Sequence, residues 1–261
     1  MPTSDWSVVD GASDPRRLVT GLDVLRAEPF FAQSKARIAA LLEHGRPTRI
    51  LDIGCGTGED AFALAGIAIG VERSMVMCAE ARRRHPDLAL IAGDALALPI
   101  SERSVDAVRA DRVLQHLTDA PAALHEWKRV LRPTGHLVCF DPDLTTATVD
   151  GVDARSAAII LDWRHRTRPG AATVHDLPGA LRAAGFSDVH VDALVLDLVA
   201  LDRADGIMGL AGWGHAAAAA GALPRVDAEH WTDDVHNAAR NGTLRYRCCY
   251  VLGAAENSLQ A

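Results

Sequence analysis

Three glycines at alternate positions, Gly54, Gly56 and Gly58, follow an apolar run and an aspartate in "ILDIGCGTGED", residues 50–60. Glycines so spaced bare the main chain and permit positive φ, so that a ligand can press against the backbone around Cys55. Phosphate is a poor choice of ligand. The dinucleotide fingerprint G-x-G-x-x-G needs glycine at 59, where the chain has Glu59, and no Gly-Lys-Ser or Gly-Lys-Thr is present. A ligand with a zwitterionic tail and a ribose suits the loop better. Glu72 closes the run "IAIGVE" 20 residues after Asp52, and a carboxylate there can accept both ribose hydroxyls. Asp94, in "GDALALP", stands where a carboxylate can take an exocyclic amino group such as adenine's.

These groups need a frame that brings them to one edge. From 48 to about 141 short β-rich runs ("RILDI", "IAIGVE", "LALIAG", "VDAVRA", "GHLVCF") alternate with helical stretches such as "SMVMCAEARRRH" and "APAALHEWKRVL". Strands apolar on both faces and separated by helices predict a parallel sheet with right-handed crossovers. Beyond 141, "DVHVDALVLDLVAL" and "TLRYRCCYVLGA" read as two more strands, interrupted by helices. The expected fold is therefore α/β: a Rossmann-like, seven-stranded, mostly parallel sheet with helices on both faces and a helical cap. Residues 15–44 carry helical periodicity, stopped by Gly45 and Pro47. The expected division is an N-terminal helical lid over 1–44 and a main domain over 45–261, with covering helices within 143–186 and 202–240. Ligands of such a sheet lie beyond the carboxyl ends of its strands, where strand order reverses, and the glycine loop lies there.

The 261 residues suffice for one large domain or a domain with a cap. Net charge is -7, which argues against a nucleic-acid partner, since phosphate binding needs a basic face. Five cysteines, at 55, 78, 139, 248 and 249, form neither a zinc pattern nor a disulfide framework, and read as reduced thiols in a cytoplasm. The longest apolar run is too short for a membrane span.

Five motifs in order make the reading specific. "ILDIGCGTG", Glu72 followed by Ser74 and Met77, "GDALALP", "SVDAV" and "RVLRPTG" resemble the pattern of class I S-adenosylmethionine-dependent methyltransferases. The likeness is to the small-molecule branch, similar to ubiquinone/menaquinone and secondary-metabolite methyltransferases. It covers 48–141 closely and the C-terminal region in outline. It implies S-adenosyl-L-methionine as cofactor and a small-molecule acceptor methylated on O, N or C. Two departures stand out: the helix after the glycine loop is short, and Arg73 stands where the family usually places an apolar residue under adenine. Its guanidinium can stack on the base instead.

The resemblance implies further roles. Asp52 orients the glycine loop and can meet the methionine ammonium, or it only fixes the turn. Ala95 offers a backbone N–H to the adenine ring, against a turn-capping role for Asp94. Asp111 and Arg112 line the methionine end, mainly through main chain. His116 lies a turn later, facing the methyl group; with an ordinary pKa near 6.5 it can take a proton from the acceptor, or it caps the next helix or merely contacts the cofactor. Asp141 and Asp143, in "FDPDL", either steer substrate or cap the loop. No histidine or asparagine pattern beside them supports a metal.

Lys35, or Gln33, is placed to reach the cofactor carboxylate, against an exposed position on an amphipathic helix that Phe30 and Phe31 pack. Arg164, His165 and Arg168 bring charge to an anionic substrate, or form a solvated helix face. His175 is a candidate substrate residue. So is Trp163, which with Trp213 and Trp231 either lines an apolar pocket or belongs to the core. Competing readings are a fold relative acting as a cyclase or binding module, and a nicotinamide oxidoreductase, which Glu59 opposes.

Overall fold

A computed structural model describes residues 6–11, 15–64 and 67–257. After a 3-10 turn, Trp6–Gly11, come α1 (Pro15–Ala27) and α2 (Pro29–Leu42). Strand β1 (Ile50–Ile53) leads through the glycine loop to the five-residue α3 (Glu59–Ala63). Then follow β2 (Ala68–Glu72), α4 (Met75–Arg84), β3 (Ala89–Ala92), β4 (Val105–Asp111), α5 (Ala120–Val130) and β5 (Leu131–Asp150). The second half adds α6 (Ala154–Arg166), α7 (Ala171–His175), α8 (Leu177–Ala183) and β6 (Ser187–Leu198). It closes with α9 (Leu201–Met208), α10 (Trp213–Ala219), α11 (Arg225–Asn241) and β7 (Arg245–Glu256).

The seven strands lie in the order β3-β2-β1-β4-β5-β7-β6. β7 alone is antiparallel to its neighbours β5 and β6. Strand order reverses between β1 and β4, which pair in parallel register, so the loops after these strands open into a crevice. Side chains alternate across the sheet. Ile50 joins the core built with Phe31, Phe140, Trp213 and Trp231, while Leu51 and Ile53 join the core built with Trp127, Leu137 and Leu181. Helices thus cover both faces.

One helical stretch that reads as continuous is broken, and a second break follows in the covering helices. Residues 15–42 form two helices because Pro29 forces Glu28 out of the helical region (ψ 126°). Residues 171–183 break at Asp176, whose side chain caps α8 by accepting from Gly179 N. Aromatic contacts fasten α2 to the sheet: Tyr250 on β7 meets Phe30, Phe31 and Phe140 with centroids 5.1–5.5 Å apart. No helix among the described residues is long and apolar enough to cross a membrane.

Candidate functional site

The glycine loop has the conformation its residues suggest. Gly54, Gly56 and Gly58 have φ of 66°, 56° and 84°. Gly54 is also held by space, since a Cβ there would sit 2.7 Å from Val113 Cγ2. Gly54 N donates to Val71 O at 2.8 Å. Glu72 then clamps the loop: its Oε2 accepts from Gly56 N at 3.0 Å and its Oε1 from Ser74 N at 2.8 Å. Ser74 caps α4, accepting from Met77 N. Asp10, from the first 3-10 turn, accepts from Met75 N at 2.9 Å. Glu72's carboxylate therefore grips the loop's main chain, where the sequence left Asp52 either orienting the loop and meeting the methionine ammonium or only fixing the turn.

Asp52 does something else. It is fully buried, and its register partner on β4 is Arg109. Arg109 Nη1 donates to Asp52 Oδ1 at 2.7 Å, while Nη2 donates to Asp60 Oδ2 and to Asp111 Oδ2, both at 2.8 Å. Arg112 Nε donates to the other oxygen of Asp111 at 3.0 Å. Lys35 Nζ is bonded to Asp60. Burial outweighs the guanidinium beside Asp52 and pushes its carboxyl up to about 6. Asp52 Oδ2 is buried without a hydrogen-bond partner. Arg109 escaped the sequence reading, although a signal existed: a lone arginine inside the apolar run "VDAVRA" must find a buried partner.

A cavity of about 530 Å³ runs along this edge, within the range of small-molecule sites (~300–1,000 Å³). Its wall includes Lys35, Gly54, Cys55, Gly56, Glu72, Arg73, Asp94, Ala95, Asp111, Arg112 and His116. Gly58 turns away under Leu88 and Ala81. Asp94 forms a turn in which its Oδ1 accepts from Leu96 N at 2.9 Å. Trp127 Nε1 anchors that turn by donating to Ala95 O at 3.0 Å. From α1 come Leu22, Leu25 and Arg26.

His116 ends the short 3-10 turn Leu114–His116. The buried carboxylate of Asp141 holds that turn, accepting from Leu114 N and Gln115 N, each at 3.2 Å. Burial raises its carboxyl to about 8. Arg112 supports the same corner in a left-handed conformation, φ 59°, with its N donating to Phe140 O at 2.6 Å.

Three expected substrate residues lie outside the cavity wall. Asp143 accepts from Thr145 N and Oγ1 and pairs with His175 Nδ1 at 3.0 Å. Its neighbours Pro142 and Leu144 face the cavity, and alternation along an extended strand turns Asp143 the other way. His175 is held in that pair with its side chain mostly exposed. Trp163 packs against the core, whereas Arg164, about 100° further round α6, faces the cavity with Arg168. Trp213 and Trp231 are core, their indole N–H groups donating to Met208 O and Leu210 O.

The donor set matches S-adenosyl-L-methionine. Gly54 and Gly56 present bare backbone to the cavity. Glu72, Asp94 and Asp111 offer carboxylate oxygens to hydroxyl, amino and ammonium groups. An acidic wall also suits a cationic ligand. Among the described residues no cluster of three His, Cys, Asp or Glu is placed for a metal.

Residues 51–139 match a methyltransferase domain family. An uncharacterized 37.1 kDa protein in a transposon of Streptomyces fradiae is 35% identical over 193 residues, 70% of this chain and 56% of that protein. A demethylmenaquinone methyltransferase of Beutenbergia cavernae is 44% identical over 93 residues, 34% of this chain and 39% of the enzyme. The chain thus spans about half or less of the length of these relatives. A crystal structure of a putative methyltransferase from Bacillus halodurans superposes with a TM-score of 0.61 at 15% identity, over 87% of this chain and 99% of that one, and shares the fold.

Proposed function

We propose that this chain, which carries a class I S-adenosylmethionine-dependent methyltransferase domain, transfers a methyl group to a small-molecule acceptor, on O, N or C. One observation carries the reading: a glycine loop bared at three positive-φ positions and tied by Gly56 N to Glu72, in one cavity with Asp94 and Asp111. Relatives named as methyltransferases favour transfer over the cyclase or binding-module alternative.

When bound, S-adenosyl-L-methionine supplies a methyl group on a sulfonium, whose S–C bond breaks as the new bond to the acceptor forms. The chain's part is placement and dryness. In this reading Glu72 accepts the ribose hydroxyls on its remaining lone pairs, and Asp94 takes the exocyclic amino group with Ala95 beside it. Cys55 adds main chain to the loop, and Arg73 lies at the adenine side. Asp111, oriented by Arg109 and Arg112, meets the ammonium. Lys35 acts through Asp60. Helices α1 and α2 form a lid, to which α1 contributes Leu22 and Leu25 on the cavity wall. His116 receives the acceptor's proton at an imidazole nitrogen, on a turn that Asp141 holds still. A cavity of this size favours a small acceptor over a polymer. Nothing among these assignments requires a nucleic-acid surface, and net charge opposes one.

Isothermal titration with S-adenosylhomocysteine tests the core of this. Glu72→Ala removes two charge-assisted hydrogen bonds and loosens the loop, so affinity should drop at least tenfold, from about 1.5–3 kcal/mol per such bond. Unchanged affinity in the variant rejects the assignment of Glu72.

A further inference from the structure

The cavity is electrically lopsided. Its acidic side chains, Glu59, Asp60, Glu72, Asp94 and Asp111, all belong to the half built from β1 to β4. The opposite end is formed by Arg164 and Arg168 with Tyr246 and Tyr250 of β7. Strand order puts β7 four spacings from β2, about 19 Å across the sheet.

Arg164 differs from four other cations of the wall. Arg26, Lys35, Arg109 and Arg112 each pair with a carboxylate. Among the described residues, no carboxylate pairs with Arg164. Its guanidinium instead lies over the Trp213 ring, 3.7 Å from the centroid. The groups that act on its charge are Tyr246, Tyr250, Cys248 and the like-charged Arg168. Burial lowers its pKa to about 10, which still leaves it charged at neutral pH. Arg164 is half-buried, and a partly desolvated cation without a counter-ion is costly. Stacking on an indole face fixes the plane of the guanidinium and leaves its N–H edge open, the geometry that matches a carboxylate with two parallel hydrogen bonds. The surrounding wall, Pro142, Leu144 and Met208, is apolar.

We infer that the acceptor carries a carboxylate on an apolar body, and that Arg164 binds it at the end of the cavity remote from Glu72. The inference rests on the methyl-transfer reading of the same cavity. It gives the two ends opposite tasks: acidic groups hold the cationic donor and the Arg164 guanidinium seats the anionic acceptor. The nucleophile is thereby turned toward the middle of the cavity, where His116 stands.

The test uses protein saturated with S-adenosylhomocysteine, titrated with 4-hydroxybenzoate, with its methyl ester and with phenyl phosphate. Wild type should bind the carboxylate at least tenfold more tightly than the ester. Arg164→Gln should erase that preference, Arg164→Lys should retain part of it, and both variants should bind S-adenosylhomocysteine as wild type does. No carboxylate binding in wild type, equal binding of acid and ester, or a preference that survives Arg164→Gln overturns the inference. Tighter binding of phenyl phosphate than of the carboxylate overturns the choice of anion. If Arg164→Gln does not fold, the acid–ester comparison in wild type decides. Failure of wild type to bind S-adenosylhomocysteine strikes the methyl-transfer reading instead.

Discussion

Asp141 shows how one buried side chain sets the shape of the site. Its carboxylate holds the main chain that leads to His116, in surroundings that raise its pKa to about 8. In the unfolded chain the same group titrates near 3.9. The folded state therefore binds more protons between about pH 4 and 8. Its contribution to stability is fully present below pH 4 and is lost as pH rises through 8. Asp141→Asn stays neutral throughout and keeps one acceptor oxygen. Between pH 6 and 8 the wild type should lose about 1–2 kcal/mol more than the variant, read as Tm in a buffer series. Parallel curves would refute the assignment. Asp52, raised to about 6 by burial, has the same sign at lower pH and is present in both proteins. At this scale the sequence was partly legible. Glu72 and the three glycines stood out by spacing alone. Arg109 did not, because one arginine in a strand says nothing about which three aspartates will surround it. Arg164 and Trp163 are adjacent in sequence, and only the rotation of α6 decides which faces the cavity.

At the scale of elements the N-terminal helices carry the consequence. α1 places Leu22, Leu25 and Arg26 on the cavity wall, and Arg26 approaches Asp60 at 3.6 Å. The break after α1 is pinned by Arg203 of α9, whose Nε donates to the buried Glu28 at 3.0 Å. A helix that covers a ligand gains protection against local opening when the ligand binds. Binding of S-adenosylhomocysteine should therefore slow hydrogen exchange in residues 18–27 by a larger factor than in α11, whose buried face, with Trp231 and Val235, lies in the core. Equal factors in the two helices would rule out a lid. Helix against strand was legible here from periodicity. The split at Glu28 was written in Pro29, yet apolar spacing running across it made the pair look like one helix.

For the molecule as a whole the decisive feature is the reversal of strand order between β1 and β4, flanked by a cavity acidic at one end and basic at the other. Mass action gives this a global readout. S-adenosylhomocysteine at a hundred times its Kd should stabilise the fold by about 2.7 kcal/mol, a Tm rise of roughly 5–10 °C for a chain of this size. NADH at the same concentration should give none. A rise with NADH and none with S-adenosylhomocysteine would return the cavity to the nicotinamide reading that Glu59 opposes.

The order of apolar runs, glycines and strand-end carboxylates was enough by itself to specify a seven-stranded α/β sheet and the edge along which the cavity opens, because those features repeat at short, local spacings. The side of the cavity toward β7 was decided only by the fold. Arg164, Tyr246 and Tyr250 come from elements some 80 residues apart, and His175, Asp143 and Trp163 turned out to face elsewhere. Which side chain reaches a cavity depends on the phase of a helix or the pleat of a strand where it meets its neighbours, and that phase is fixed by packing between distant segments.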